Sequence, residues 1–106
     1  MDSYVLLVTV NSATEAKTIA RTLVEERLAA CINIIPGLSS IYQWKGEVYE
    51  DQELLLLIKS QASKVVALRE RIVDLHSYVA PEVIALPISD GSTHYLKWLN
   101  SCLTPS

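Results

Sequence analysis

The chain has 106 residues, of which half are hydrophobic and a fifth are charged, so it holds enough apolar material for one packed core but is too short for two. Nine Lys and Arg residues against twelve Asp and Glu residues give a net charge of −3, and this excludes the basic field that nucleic acids demand. We therefore expect a single domain over residues 1–106 and no nucleic-acid partner.

The sequence favours a cytoplasmic location. No apolar run approaches the roughly 20 residues that a membrane helix needs, and the N-terminal segment MDSYVLLVTV carries an acid where a signal peptide would be basic. The two cysteines, Cys31 and Cys102, are too distant for a C-x-x-C motif and too few for a disulfide framework. We predict a cytoplasmic protein with two buried thiols and no membrane partner.

The first two elements are a strand and a helix. Residues 4–10 (YVLLVTV) are apolar and β-branched without alternation, which is typical of a strand buried on both faces. Ser12 and Glu15 then form a Ser-x-x-Glu capping box, in which each side chain bonds the backbone N–H of the other residue. Apolar residues recur every three or four positions beyond it, which predicts a helix with one buried side.

A long β-hairpin is predicted next. Its first strand, residues 32–44 (INIIPGLSSIYQW), contains a Pro-Gly pair at 36–37, which indicates a bulge or bend because neither residue suits a central ladder. A tight turn at residues 45–46 leads into the second strand, residues 47–59 (EVYEDQELLLLIK).

This turn places three aromatic residues on one side of the hairpin. Trp44 would face Glu47 and Tyr42 would face Tyr49, so Tyr42, Trp44 and Tyr49 share a side. Aromatic pairs of this kind usually hold a hairpin or a subunit contact together. We adopt that interpretation, and a ligand platform is the alternative.

The rest of the chain supplies a helix, a strand and a last short helix. Ser60 or Ser63 is predicted to cap the helix, which should end near His76. Residues 83–88 (VIALPI) form a short apolar strand, and the segment that follows, SDGSTHYLKWLNSCL, gives turn residues and then a helix. The predicted order is βαββαβ followed by α.

This order predicts an α+β fold. A β-α-β unit occurs twice, as the ferredoxin-like split βαβ motif requires, and right-handed crossovers place both long helices on one face of a four-stranded antiparallel sheet. The strands lack the polar alternation that a water-facing side needs, and the last helix is too short to cover the second face. We therefore expect further copies of the chain to cover it, in an obligate homo-oligomer.

Five segments, taken together, resemble one known family. In chain order they are LVEERLAACINIIPG, SIYQWKGEVYED, ELLLLIKS, HSYVAPEVIALPI and YLKWL. In this order and spacing they strongly resemble the CutA family of divalent-cation tolerance proteins, over residues 5–99. The resemblance implies a homotrimer similar in architecture to the PII signalling proteins, with long hairpins and edge strands paired across subunits. It also implies a role in the response to metal ions, and no catalysed reaction.

His76 and Glu82 are the candidate metal ligands. Imidazole suits Cu(II) and Zn(II), and carboxylate is a further plausible ligand. By the resemblance, the ligand positions of copper-binding relatives correspond here to Val8, Leu75 and His76, so one ligand of three is kept, and Ser77 replaces a proline. We therefore treat Cu(II) or another divalent cation as a ligand and not as a required cofactor. The structural alternative makes His76 a helix C-terminal residue, favoured when charged by roughly 0.3–1 kcal/mol.

A pocket between subunits is the second candidate site. The resemblance covers Trp44, Glu53, Lys59 and Tyr78, and Glu53 and Lys59 stand at even spacing on one strand, so they share a face. A polar pocket for a small ligand is one interpretation, and a set of interface salt bridges is the other.

Two other functions compete with metal binding. A regulatory or interaction scaffold of the PII kind would need no functional metal. An enzyme could use His76 and Glu82 as acid and base across their short loop, but no nucleophile or phosphate-binding loop accompanies them. We expect a binding protein that is not an enzyme.

Overall fold

The computed structural model describes residues 2–104. Its elements are β1 (Ser3–Val10), α1 (Ala13–Glu25), β2 (Cys31–Trp44), β3 (Glu47–Gln61), a 3-10 turn (Ala62–Lys64), α2 (Val65–Leu75), β4 (Val83–Pro87) and α3 (Thr93–Leu103). The four strands form one antiparallel sheet in the order β2-β3-β1-β4. The predicted α+β, ferredoxin-like fold with a long β2-β3 hairpin is confirmed.

The core lies between one face of the sheet and the two long helices. Alternate residues of β1 and β3 point into it, and they meet the apolar stripes of α1 and α2. Burying each large aliphatic side chain contributes roughly 1.5–3 kcal/mol. The largest fully buried side chains of this core are Leu6, Val8, Val10, Ile19, Leu23, Leu56, Ile58, Leu68 and Ile72.

Only half of the predicted capping box is present in the described residues. The Ser12 hydroxyl accepts a hydrogen bond from the Glu15 N–H at 3.1 Å, and this fixes the start of α1. The Glu15 carboxylate accepts from Ser77 instead of returning to Ser12. A partner from a distant loop has therefore replaced the local one.

The predicted cap of α2 is wrong. Strand β3 continues to Gln61, which pairs with Ser3, so Ser60 lies within the sheet and its hydroxyl donates to the Leu28 carbonyl at 2.7 Å. The chain then makes a 3-10 turn, and α2 begins after Lys64, whose side chain makes no capping bond. The end of α2 agrees with the prediction, because His76 is its C-cap residue.

The hairpin has the predicted turn and the predicted bulge. Lys45 and Gly46 both have positive φ, 51° and 83°, as a type I′ turn requires. The register moves by one residue at Pro36 and Gly37, where two residues of β2 oppose one residue of β3. Beyond the bulge the hairpin projects from the body, and the molecule measures 47 × 25 × 23 Å.

The last helix covers only part of the second face of the sheet. α3 packs against β3, and its Leu99 and Leu103 are buried. Apolar side chains of the edge strands on this face remain exposed, namely Ile35 of β2 and Ile84 and Leu86 of β4. The uncovered apolar surface that the strand sequences predicted is therefore present in the single chain.

Candidate functional site

His76 is buried, and both of its ring nitrogens are engaged. Its side chain has no exposed surface. Nε2 lies 2.7 Å from the Thr9 carbonyl oxygen, and Nδ1 accepts the Tyr78 N–H at 3.1 Å. A neutral ring that is protonated on Nε2 satisfies both contacts, since it donates to Thr9 and accepts from Tyr78. While these bonds persist, neither nitrogen offers a lone pair to a metal ion.

The acid beside His76 is Glu15. Its Oε2 lies 3.4 Å from His76 Nδ1, and its carboxylate accepts from the Ser77 N–H at 3.0 Å and from the Ser77 hydroxyl at 2.8 Å. Burial acts to raise the pKa of Glu15, but the two hydrogen bonds from Ser77 outweigh it, so the pKa lies below its usual value. These contacts tie the end of α2 to the start of α1.

A cavity of about 510 Å³ lies between the hairpin and the loop that follows α2. Four of the residues singled out in the sequence, Trp44, Glu53, Tyr78 and Glu82, line it together. Three aromatic side chains and three carboxylates dominate its wall, namely Tyr42, Trp44, Tyr78, Asp51, Glu53 and Glu82. The candidate ligand site is therefore aromatic and acidic.

Glu53 and Tyr78 form the inner wall of this cavity. The Tyr78 hydroxyl donates to Glu53 Oε2 at 2.7 Å, and Glu53 is only 8% exposed. Burial, the bond to Glu53 and the charge of Asp51 all raise the pKa of Tyr78. The phenol therefore holds its proton and acts as a donor to the carboxylate. The ring centroid of Tyr78 lies 4.5 Å from that of His76, so the histidine supports Tyr78 from outside the lining.

The hairpin supplies the outer wall. The Tyr42 hydroxyl donates to the Asp51 carboxylate, and this bond raises the pKa of Tyr42. The Tyr42 and Tyr49 rings stack with centroids 5.8 Å apart, as their predicted pairing requires. The turn sets this geometry, because it pairs Tyr42 with Tyr49 and Trp44 with Glu47, and both partners stand an even number of positions from Glu53 on β3.

Two sequence candidates lie apart from the cavity in the single chain. Lys59 stands six residues along β3 from Glu53, a distance of about 20 Å in a strand, where it bonds Asn33 Oδ1 and lies 3.9 Å from Cys31 Sγ. His76 is packed behind Tyr78. Glu82 is exposed on the cavity wall, and in the described residues it makes no ion pair with His76.

Sequence reasoning missed three residues of this region. The position of Asp51 could have been predicted from the alternation of side chains along a strand, since it stands two positions from Tyr49 and therefore lies on the same side of the hairpin. Glu15 and Ser77 are separated by 62 positions, and no local pattern links them. The signal for Asp51 was present in the sequence, whereas the Glu15 contacts needed the fold.

The cavity does not form a preassembled metal centre within one chain. In residues 2–104, no group of three His, Cys, Asp or Glu side chains converges closely enough to hold an ion. The two positions that correspond to metal ligands in relatives hold apolar residues here: Val8 is fully buried in the core, and Leu75 packs against that core.

No helix within the described range is long and apolar enough to cross a membrane.

Fold and site together define a class: an α+β ferredoxin-like protein with a long hairpin that borders an acidic, aromatic cavity. The family model described as CutA1 divalent ion tolerance protein matches residues 4–102 of the chain. The divalent-cation tolerance protein CutA of Thermus thermophilus is 59% identical over 95 residues, which cover 90% of this chain and 92% of that protein. The chain belongs to the CutA1 divalent ion tolerance family.

Solved structures agree with this assignment. CutA from Xylella fastidiosa superposes with a TM-score of 0.95 at 41% identity, covering 98% of this chain and 100% of that one. A structure described as the periplasmic divalent cation tolerance protein CutA from Archaeoglobus fulgidus gives a TM-score of 0.93 at 31% identity, with 96% of this chain and 99% of that chain covered. The fold is thus kept across distant members.

Proposed function

We propose that the chain acts in divalent-cation tolerance as a homotrimer that binds a cation, Cu(II) or another divalent metal ion, at its acidic cavity. The observation that carries the proposal is the charge of the cavity wall. Asp51, Glu53 and Glu82 line it, and its lining within residues 2–104 includes no Lys, Arg or His. Such a surface attracts cations and repels anions.

The surface of the single chain supports assembly. Ile84 and Leu86 on β4, together with Ile35 on β2, leave apolar area exposed on the second face of the sheet. The projecting hairpin adds exposed Ile41 and Val48. Surfaces of this kind are usually covered by other subunits. In a trimer, the hairpin of one subunit would reach a neighbour, and the cavity beside it would lie near that contact.

The ligands we propose are carboxylates. Carboxylate oxygen suits divalent ions, with water completing the coordination. Glu82 is exposed, and within the described residues it accepts no hydrogen bond, whereas Asp51 and Glu53 accept from Tyr42 and Tyr78. His76 would take part only if it gave up its bonds to Thr9 and Tyr78, so we assign it the role of a support for Tyr78 and keep Glu82 as the leading ligand.

Calorimetric titration of the metal-free protein with Cu(II) and Zn(II) tests whether the carboxylates of the cavity bind a divalent cation. We expect binding that weakens in Glu82→Gln and persists in His76→Ala. Glu50→Gln is the matched control, because Glu50 lies on the opposite side of the same hairpin strand from Asp51. Binding that vanishes in His76→Ala, with the mutant still folded by circular dichroism, would contradict the carboxylate assignment.

Light scattering tests the assembly. We expect a mass of about 35 kDa, three times the 11.8 kDa of one chain, at micromolar concentration. A mass near that of one chain would contradict the trimer.

A regulatory scaffold without functional metal binding is the second candidate, and one observation favours it. No three metal-ligand side chains converge within the part of the chain described here. A trimer that gives no heat with either metal would support this scaffold. The acid/base enzyme has weaker support, since His76 is enclosed and its neighbouring acid is Glu15 instead of Glu82. The cytoplasmic location stays a prediction, and the Archaeoglobus relative is described as periplasmic.

A further inference from the structure

Glu53 and Lys59 carry opposite charges on one strand, and within residues 2–104 neither forms an ion pair with another side chain. We propose that the two residues pair between subunits, so that Lys59 of one chain enters the cavity of the next chain and binds the Glu53 carboxylate. This inference rests on the proposed homotrimer and adds the contact that orients its subunits. The cavity is then incomplete until a second copy of the chain supplies the ammonium group.

Both side chains lie on the face of the sheet that the two long helices leave uncovered. Leu56 and Ile58 of β3 point into the core beneath these helices, so the odd-numbered positions between them and beyond point to the second face. Glu53 and Lys59 stand at the two ends of this odd-numbered row, about 20 Å apart. Ion pairs need a separation of about 4 Å, so the two charges cannot pair within one chain.

Glu53 is a buried carboxylate that has no cation beside it. It is only 8% exposed, and the Tyr78 phenol donates to its Oε2 at 2.7 Å. The phenol supplies a hydrogen bond but no positive charge. A carboxylate removed from water without a counter-charge is destabilising, so a cation brought to Glu53 by a neighbouring subunit would stabilise the assembly.

Lys59 is the matching cation that has no acid beside it. Its ammonium donates to Asn33 Oδ1 and lies 3.9 Å from Cys31 Sγ, and neither of these partners is a carboxylate. The side chain is partly buried, so water hydrates its charge only in part. An ammonium group has three N–H donors, and these two contacts leave at least one of them for a carboxylate.

The arrangement of this row favours a second copy of the chain as the partner. Leu55 and Leu57 separate the two charged residues on β3, and Ile35 of β2 lies opposite Leu55. A face with an acid at one end, a base at the other and apolar residues between them is complementary to itself when the copies meet head to tail. In a closed ring of three, each chain offers Glu53 to one neighbour and Lys59 to the other, so no copy keeps an unpaired charge.

This pairing changes the charge of the cavity. Glu53 lines the cavity together with Asp51 and Glu82. The ammonium of a neighbouring Lys59 would neutralise Glu53 and leave Asp51 and Glu82 as the acids available to a bound cation. The leading ligand of the proposed function, Glu82, is therefore unaffected by the pairing.

Charge reversal tests the pairing in the assembled protein. Glu53→Lys and Lys59→Glu each bring like charges together at every subunit contact, and each should raise the apparent dissociation constant of the trimer by about tenfold or more. The double variant restores opposite charges and should return this constant to within about threefold of the parent. Since about 20 Å separates the two positions in one chain, the rescue can arise only between chains. Analytical ultracentrifugation measures the constants.

A control and a second set of variants accompany these reversals. Glu50→Lys reverses a charge on the other side of the same hairpin strand and should leave the dissociation constant unchanged. Circular dichroism establishes that each variant is folded. If a lysine at position 53 prevents folding, Glu53→Gln and Lys59→Met replace the reversals. Their double variant should weaken the trimer by less than the product of the two single effects, because both changes remove the same ion pair.

Chemical cross-linking of the parent protein reads the contact directly. A carbodiimide condenses a carboxylate with a neighbouring amine to an amide, with no spacer between them. We expect covalent dimers and trimers on a denaturing gel, and peptide mass spectrometry should locate the link between Glu53 and Lys59. Lys59→Arg keeps the charge but removes the reactive amine, so it should abolish this link. Lys17→Arg, at an exposed position on α1, is the control and should leave it.

The outcomes separate this inference from the proposed function. A trimer whose dissociation constant is unchanged by both single reversals would overturn the inference and leave the proposed trimer standing. A double variant that assembles no better than the weaker single variant, or a cross-linked trimer without the link between Glu53 and Lys59, would overturn it as well. A parent protein with the mass of one chain would contradict both the trimer and the pairing.

Discussion

At the scale of single residues, the cavity depends on a phenol that shields a buried carboxylate. Tyr78 is the only donor to Glu53 among the described residues, and Glu53 has almost no contact with solvent. Removing one partner of a buried hydrogen bond leaves the other unsatisfied, which costs more than the bond itself contributes. The Tyr42–Asp51 pair has the same chemistry, but both of its residues are exposed.

This difference in burial gives a matched pair of substitutions. Tyr78→Phe should lower the free energy of unfolding by about 1–3 kcal/mol, because it leaves Glu53 without a donor. Tyr42→Phe should have little effect, since water replaces the lost donor. Urea unfolding at one fixed protein concentration measures both values. Equal effects of the two changes would show that burial of Glu53 does not set the cost.

The pKa of Glu15 predicts a pH dependence of stability. Because its folded-state pKa lies below the usual 4.5, the Glu15 carboxylate stabilises the fold above about pH 4.5, and this contribution is lost as the pH falls through the lower folded-state value. Glu15→Gln should therefore lower the free energy of unfolding at pH 7, and its difference from the parent should shrink in acid.

Unfolding curves between pH 3 and pH 7 measure this difference. Ser77→Ala removes one donor to Glu15 while keeping the carboxylate, so it should give a smaller loss of the same sign. Parallel pH profiles of the parent and Glu15→Gln would contradict the role of Glu15 as a charged anchor between α1 and α2.

The sequence predicted residues of the cavity better than it predicted their partners. Trp44 and Glu53 lie on strands whose alternation and pairing follow from a tight turn, so their shared face could be predicted. His76 and Glu82 looked close because only a short loop separates them. The fold turns His76 inward to Thr9 and Glu15, and such contacts between distant segments have no local pattern.

At the scale of elements, the hairpin depends on the geometry of its turn. Gly46 has φ of 83°, and a Cβ added there would meet no atom within 4 Å. A substitution at this position is therefore unfavourable only because residues with a side chain rarely adopt a positive φ. Gly46→Val should cost about 1–2 kcal/mol in the free energy of unfolding, whereas Gly46→Asn should cost less, because asparagine tolerates this conformation. Thermal unfolding of the two variants measures the difference, and equal midpoints would contradict it.

The element boundaries show where local signals end. Ser12 was identified as a helix cap because it precedes an apolar helical pattern, and its hydroxyl does accept the Glu15 N–H. Ser60 had the same local signal, but the pairing of Gln61 with Ser3 extends β3 past it. The backbone pairing of β3 with β1 therefore overrides the helix-capping tendency of Ser60. A pattern confined to one segment could not predict this pairing between distant segments.

At the scale of the whole molecule, the uncovered face of the sheet gives the prediction for assembly. Leu86 lies on β4 and is exposed on this face in the single chain. If the chain forms the proposed trimer, Leu86→Asp should shift the mass in light scattering from about 35 kDa toward the 11.8 kDa of one chain, since an acid would replace an apolar side chain on the uncovered face. Val66→Asp, at an exposed position on α2, is the control and should leave the mass unchanged.

The bulge at residues 36–37 has a consequence for insertions and deletions in the gene. Loss of one codon there would leave a single residue of β2 opposite Leu54 and restore regular pairing of β2 with β3. Because the turn keeps Tyr42 opposite Tyr49 and Trp44 opposite Glu47, the deletion would leave both aromatic side chains on the Glu53 side of the hairpin. Residues 36–37 are therefore a position at which the gene can lose one codon while the core and the cavity wall keep their residue pairs.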